Sequence, residues 1–249
     1  MIVDGLIFLG SSHFGYALAA TTALDGLDAI GAGVALAAPV HPHRGGFAEA
    51  NAAVAAAAAK AADRLVPLCR VDPWEGTDAV SELQRAVRAG ARGLFLHPAE
   101  EHFRINDTRV RPLVDAAAEL AVPVVVAAGY HLVAEPLQLG AAAGWTPDNP
   151  FVLTNGGQFN ISGLAQFDAE LALGHPNVHV HTTGMYREDF LERVVATFGP
   201  ERLVFATAAP LFTMAYERQR VELAHFTDTE RDLVFGGNSA RIFGLAGAA

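Results

Sequence analysis

Apolar and polar positions fall in blocks along the chain. Short runs rich in Val, Ile, Leu and Phe occupy residues 2–9, 33–38, 65–70, 93–97, 123–127, 151–154, 178–182 and 203–206. Near-continuous hydrophobicity over so few residues suits a parallel strand buried on both faces, whereas a strand with one wet face would alternate. Between these runs lie longer stretches that read as helices, at 47–62, 78–89, 109–120, 164–173 and 187–198. Asp, Ser or Thr often stands near their starts, and Gly90, Gly174 and Gly199 follow three of them as stops. The tail, 231–249, reads as closing helices. Eight strand-then-helix units, with no Pro- or Ser-rich linker and no further repeat, predict an α/β fold. The expected architecture is a single-domain (β/α)8 TIM barrel over residues 1–249.

Composition narrows the functional classes. Apolar residues make up 51% of the chain and charged residues 18%, enough for a large core. The net charge of −10 and the absence of a basic cluster argue against nucleic-acid and anionic-membrane surfaces. The Ala-rich tract at 52–62 carries Lys60 and falls short of the roughly 18 apolar residues of a membrane span. The apolar start is broken by Asp4 and has no positive segment before it, so it reads as a first strand and not a signal peptide. A cytoplasmic protein is expected. The single Cys69 lies within an apolar run, which suits a buried, inert thiol. No cofactor is expected.

In such a barrel the loops after the strands build the functional face. That rule selects the stretch from Phe8 to His13, then His41, His43, Arg70, His97, the stretch from Ala127 to His131, Asn155, His181, Thr207 and Ala208. Neither Gly31-Ala32-Gly33 nor Ser12-His13 has the context of a dinucleotide fingerprint or a nucleophile elbow. Asn106-Asp107-Thr108 and Asp228 read as helix caps, and Asn160-Ile161-Ser162 matches a glycosylation acceptor only formally.

Several motifs carry a resemblance. They are Gly90-Ala91-Arg92-Gly93-Leu94-Phe95-Leu96-His97-Pro98, then Phe103, Asn106-Asp107, Pro112-Leu113 and the stretch from Ala118 to Val124. The stretches from Asn177 to Gly184, from Glu201 to Pro210 and from Gly237 to Phe243 continue it. In order and spacing the chain resembles, almost end to end, the amidohydrolase-related (amidohydrolase 2 type) family of metal-dependent hydrolases and decarboxylases. The resemblance implies a metal site whose positions can be located here. The family's Asp-x-His-x-His keeps Asp4 but has Leu6 and Phe8 for the histidines. Ala127 stands for a third histidine, Asn155 for a fourth, and Ala208 for the aspartate of a Gly-Thr-Asp pattern. Leu, Phe and Ala offer no lone pair, and an amide is a poor zinc ligand. The expected metal is therefore none, and without a Lewis acid or low-pKa water, metal-assisted hydrolysis is not expected. Ala208 also removes a carboxylate that would otherwise sit buried without its cation.

The surviving polar groups His13, Arg70, His97, His131, Asn155 and His181 are expected to face one pocket for a small molecule. Structural roles compete with that reading: His97 bracing its loop, Arg70 pairing with Asp72 or Asp4, His179 filling the interior, His181 hydrogen-bonding nearby, and His41 and His43 in an exposed loop. The pairs His41-x-His43 and His179-x-His181 are too small to make a metal site alone. The coordinated replacement of all five positions points to a non-catalytic or regulatory subunit of a homo- or hetero-oligomer, with a metal-competent relative as the partner class. The alternative is a metal-independent lyase, isomerase or cyclase using His and Arg at the barrel mouth. A ligand sensor is a third reading.

Overall fold

The computed structural model describes residues 1–44, 46–61, 63–155, 172–184 and 188–245. Barrel strands follow the predicted runs: β1 (Ile2–Ser11), β2 (Ala32–Pro39), β3 (Leu65–Pro67 and, past Leu68, Cys69–Arg70), β4 (Leu94–Leu96), β5 (Val124–Val126), β6 (Phe151–Leu153), β7 (Val178–His181) and β8 (Leu203–Val204). Each pairs in parallel with the next. Strand β3 hands over between its neighbours at Leu68, whose N–H reaches Ala37 O at 2.8 Å while that of Cys69 reaches Gly93 O at 2.8 Å. The ring closes between β8 and β1 through Gly5 N to Phe205 O at 2.9 Å, Ala208 N to Leu6 O at 2.8 Å and Phe8 N to Ala209 O at 2.8 Å.

Side-chain alternation along the strands builds two apolar layers. Phe95, Val125 and Val152 point inward with Leu6, Phe8, Leu36, Leu68 and Val204. Their sequence neighbours Leu94, Leu96, Val124, Val126, Phe151 and Leu153 point outward against the helices. The double burial explains why these runs carry no polar alternation. Each fully covered side chain of this size contributes roughly 1.5–3 kcal/mol. Cys69 is buried, as its apolar run suggests, and burial pushes its thiol pKa up.

The helices depart from expectation at their ends. The helix expected at 109–120 runs Arg111–Glu119, because the Asp107 carboxylate accepts the Arg109 N–H at 3.0 Å and holds a turn ahead of it. Thr227, not Asp228, caps the helix Asp228–Asp232, exchanging bonds with Glu230 in a capping box. Helices Ala20–Ala29, Pro136–Ala143 and Met214–Leu223 complete the described surface layer. The helix expected at 164–173 lies outside the described residues except for Ala172 and Leu173, which are helical. Among the described residues no helix is long and apolar enough to cross a membrane.

Candidate functional site

A cavity of about 340 Å³ opens at the C-terminal ends of the strands. Leu6, Phe8, Ala127, Asn155 and Ala208 all line it, together with His97, Tyr130, His131, Thr154 and Phe212. Leu6 and Phe8 are two residues apart on β1 and so share its inward face. Phe8 stands edge-on to Phe95, with ring centroids 5.4 Å apart, and to Tyr16 at 6.2 Å.

Asn155 and Ala208 each take a left-handed backbone conformation, both at φ 51°. The Asn155 side chain is fixed there, its Nδ2 donating to Ala128 O at 3.0 Å. Gly184 gives it room, since a Cβ at that glycine would lie 2.6 Å from Asn155 Oδ1. These residues do not fit a metal ion: four of the five positions are hydrocarbon, and Asn155 offers a single neutral amide oxygen, a poor ligand for zinc. Asp4 is engaged as well. Its carboxylate accepts the Thr207 N–H at 2.8 Å, the Thr207 hydroxyl at 2.6 Å and the Leu6 N–H at 3.2 Å. Burial pushes its pKa up to about 6 against those bonds.

Three of the six expected pocket residues reach the cavity: His97, His131 and Asn155. His97 Nδ1 accepts the Glu100 N–H at 3.2 Å, which leaves Nε2 to carry the proton, 3.5 Å from the Tyr130 hydroxyl. Burial, and then the Arg70 charge, push its pKa down to about 3, so the imidazole is neutral. His131 lies at the rim with Nδ1 3.1 Å from Glu135.

The other three do not line it. The Arg70 side chain has no exposed surface and pairs with Glu100 and Glu101, not with Asp72 or Asp4. Its Nη1 donates to Pro39 O at 3.2 Å, and its guanidinium lies over Phe47 and Phe95 at 5.2 and 5.5 Å. Asp72 instead accepts the Trp74 N–H at 2.9 Å. His181 is fully buried below the mouth near Gly5, and neither ring nitrogen has a hydrogen-bond partner among the described residues. Among the described residues the hydrogen bond of the competing structural reading is absent, and burial alone pushes its pKa down to about 3. His13 belongs to a neighbouring cleft.

His41 is half-buried, its ring 5.5 Å from that of Phe47, and His43 is exposed. His179 occupies the interior, with Nδ1 3.0 Å from Glu201 O. Among the described residues no three His, Cys, Asp or Glu side chains form a group that could hold a metal ion. Residue-type reasoning passed over Tyr16, Glu100 and Glu101, while Tyr130 fell inside the selected stretch from Ala127 to His131. The adjacent carboxylates one residue beyond His97-Pro98 were the signal available for Glu100 and Glu101.

Comparison with known proteins places this geometry. The model of the family described as Amidohydrolase matches residues 7–245. A 2,6-dihydroxybenzoate decarboxylase complexed with 2,6-dihydroxybenzoate superposes with a TM-score of 0.80 at 15% identity, covering 99% of both chains. The 2,6-dihydroxybenzoate decarboxylase from Rhizobium gives 0.77 at 16% identity, again over 99% of both chains. A probable 2-pyrone-4,6-dicarboxylic acid hydrolase from Acinetobacter baumannii, with citric acid bound, gives 0.78 at 16% identity over 98% of this chain and 99% of that one. At these identities the likeness to solved structures is one of fold. No curated protein matches the sequence.

Proposed function

The chain belongs to the amidohydrolase family, and from that premise we propose that it is a non-catalytic, metal-free member acting as a regulatory subunit of an oligomeric cytoplasmic assembly. Its partner class is a metal-competent relative. One observation carries this reading: the five positions at which the family resemblance implies metal ligands converge on one cavity and supply hydrocarbon and a tethered amide.

The cavity itself is kept, and its chemistry defines what it takes. Among the described residues no Lys or Arg lines it. From those residues the carboxylate of a ligand such as the dihydroxybenzoate of the decarboxylase neighbour would meet no fixed positive charge. An uncharged, ring-sized molecule fits better, with its faces against Phe8 and Phe212 and its hydroxyl or carbonyl groups toward Asn155, His97 and Tyr130.

The rival reading, metal-independent proton transfer, draws on the His97–Tyr130 corner. A general acid or base works best with a pKa near the operating pH. Burial drives His97 down to about 3 and Tyr130 above its ordinary value. The corner is thus suited to hydrogen bonding more than to proton transfer.

Four exposed apolar side chains, Phe14, Trp74, Leu132 and Leu211, lie on loops of the mouth face and support association there. The test is copurification of the untagged, natively expressed protein, with recovered partners identified by mass spectrometry. A stoichiometric partner is expected. A lone chain that turns over a small molecule without metal would overturn the proposal in favour of its rival.

A further inference from the structure

Beside the mouth cavity, and sharing no lining residue with it, lies a second cleft of about 450 Å³. Phe14 and Trp74 wall it together with His13, His41 and His102; Asp72, Glu100 and Glu101 supply carboxylates, and among the described residues no Lys or Arg lines it. Its charges do not balance. Glu100 and Glu101 share one guanidinium, that of Arg70, which leaves one carboxylate charge over before Asp72 is added.

The excess sits on a buried atom. The Glu101 side chain has no exposed surface, and while its Oε1 bonds Arg70, its Oε2 has no hydrogen-bond partner among the described residues. A buried carboxylate oxygen without a donor costs free energy until something donates to it. Burial raises the Glu101 pKa to about 7, in line with that deficit.

The aromatic wall fits the same kind of donor. Trp74 is 57% exposed, yet its indole is pinned in place by Nε1 donating to Glu101 O at 3.0 Å. The Arg109 guanidinium already lies over the ring, 3.9 Å from its centroid. Phe14 is 50% exposed, with its N–H held by Ser12 Oγ at 3.0 Å. Rigid, exposed aromatic rings beside uncompensated carboxylates recognise organic cations, through ring quadrupole and charge together.

We propose that this cleft binds an organic ammonium, its charge toward Asp72 and Glu101 and its hydrocarbon against Phe14 and Trp74. The test uses the indole N–H signals of the protein's two tryptophans, with Trp145 as the internal reference. n-Butylammonium chloride is titrated into the full chain, with n-butanol and sodium chloride as controls. A saturable shift confined to Trp74 is expected. Asp72→Asn, which keeps an oxygen for the Trp74 N–H, weakens affinity about tenfold, the equivalent of one charge-assisted hydrogen bond. Glu101→Gln weakens it similarly where that variant folds. Equal shifts from n-butanol, no saturable shift of Trp74, or an unchanged affinity in Asp72→Asn would overturn the proposal.

Discussion

Replacing Arg70 with methionine tests the charge arrangement behind the second cleft. Arg70 has no exposed side-chain surface, and Glu100 is 11% exposed and Glu101 fully covered. Methionine leaves two carboxylates facing each other without a cation. Removing one partner from a buried ion pair costs about 3–5 kcal/mol. At roughly 2–4 °C per kcal/mol for a chain of this size, the melting temperature should fall by about 10 °C. Without the guanidinium both carboxyl pKa values rise above their unfolded values. The penalty is therefore fully present above the raised folded pKa and is relieved as pH falls through it. Urea denaturation at pH 8 and pH 5 should show a large deficit at the first and a smaller one at the second. Adding Glu100→Gln and Glu101→Gln to the variant should recover most of the loss, because neutral amides carry no charge to leave buried. A deficit below about 1 kcal/mol, the scale of an exposed pair, or one that does not change with pH, would refute the reasoning.

Other substitutions probe single contacts. Phe8→Ala removes a 2% exposed ring and should cost about 3–5 kcal/mol in urea melts, while enlarging the mouth cavity enough for xenon to be located in it crystallographically. His181→Leu should stabilise by about 1–3 kcal/mol at neutral pH, since it removes two unpartnered buried nitrogens. Its folded pKa of about 3 lies below the ordinary 6.5, so the native protein loses stability as pH falls from 6.5 toward 3, and the variant's advantage should widen over that descent. Thr207→Val breaks the 2.6 Å bond to Asp4 and should cost about 1–3 kcal/mol. Because the Asp4 pKa is already raised to about 6 and rises further, that loss should be greater at pH 8 than at pH 5 in the same denaturation assay.

The strands were legible because a strand buried on both faces has no polar alternation to blur it, as Phe95 inside and Leu94 and Leu96 outside illustrate. The five positions around the mouth were legible through the family resemblance, which put Leu6, Phe8, Ala127, Asn155 and Ala208 where metal ligands would stand, and all five line one cavity.

Partner choice was not legible. Arg70 could be placed at the end of β3, but the carboxylates that claim it come from the loop after β4, a proximity that only the closed ring creates. Depth was also hidden. Alternation turns His181 inward, yet its distance below the mouth depends on how far the neighbouring strands extend. In helix Met214–Leu223 the mainly polar sequence conceals a buried pair, Glu217 and Arg220, at 2.7 Å.

The account turns on a barrel that keeps its mouth cavity and gives up the metal. The most direct measurement is elemental analysis of natively purified protein, before and after incubation with excess zinc or manganese and desalting. The account predicts no retained metal in either sample. Stoichiometric retention, abolished by substitution of a cavity residue such as His97, would contradict it.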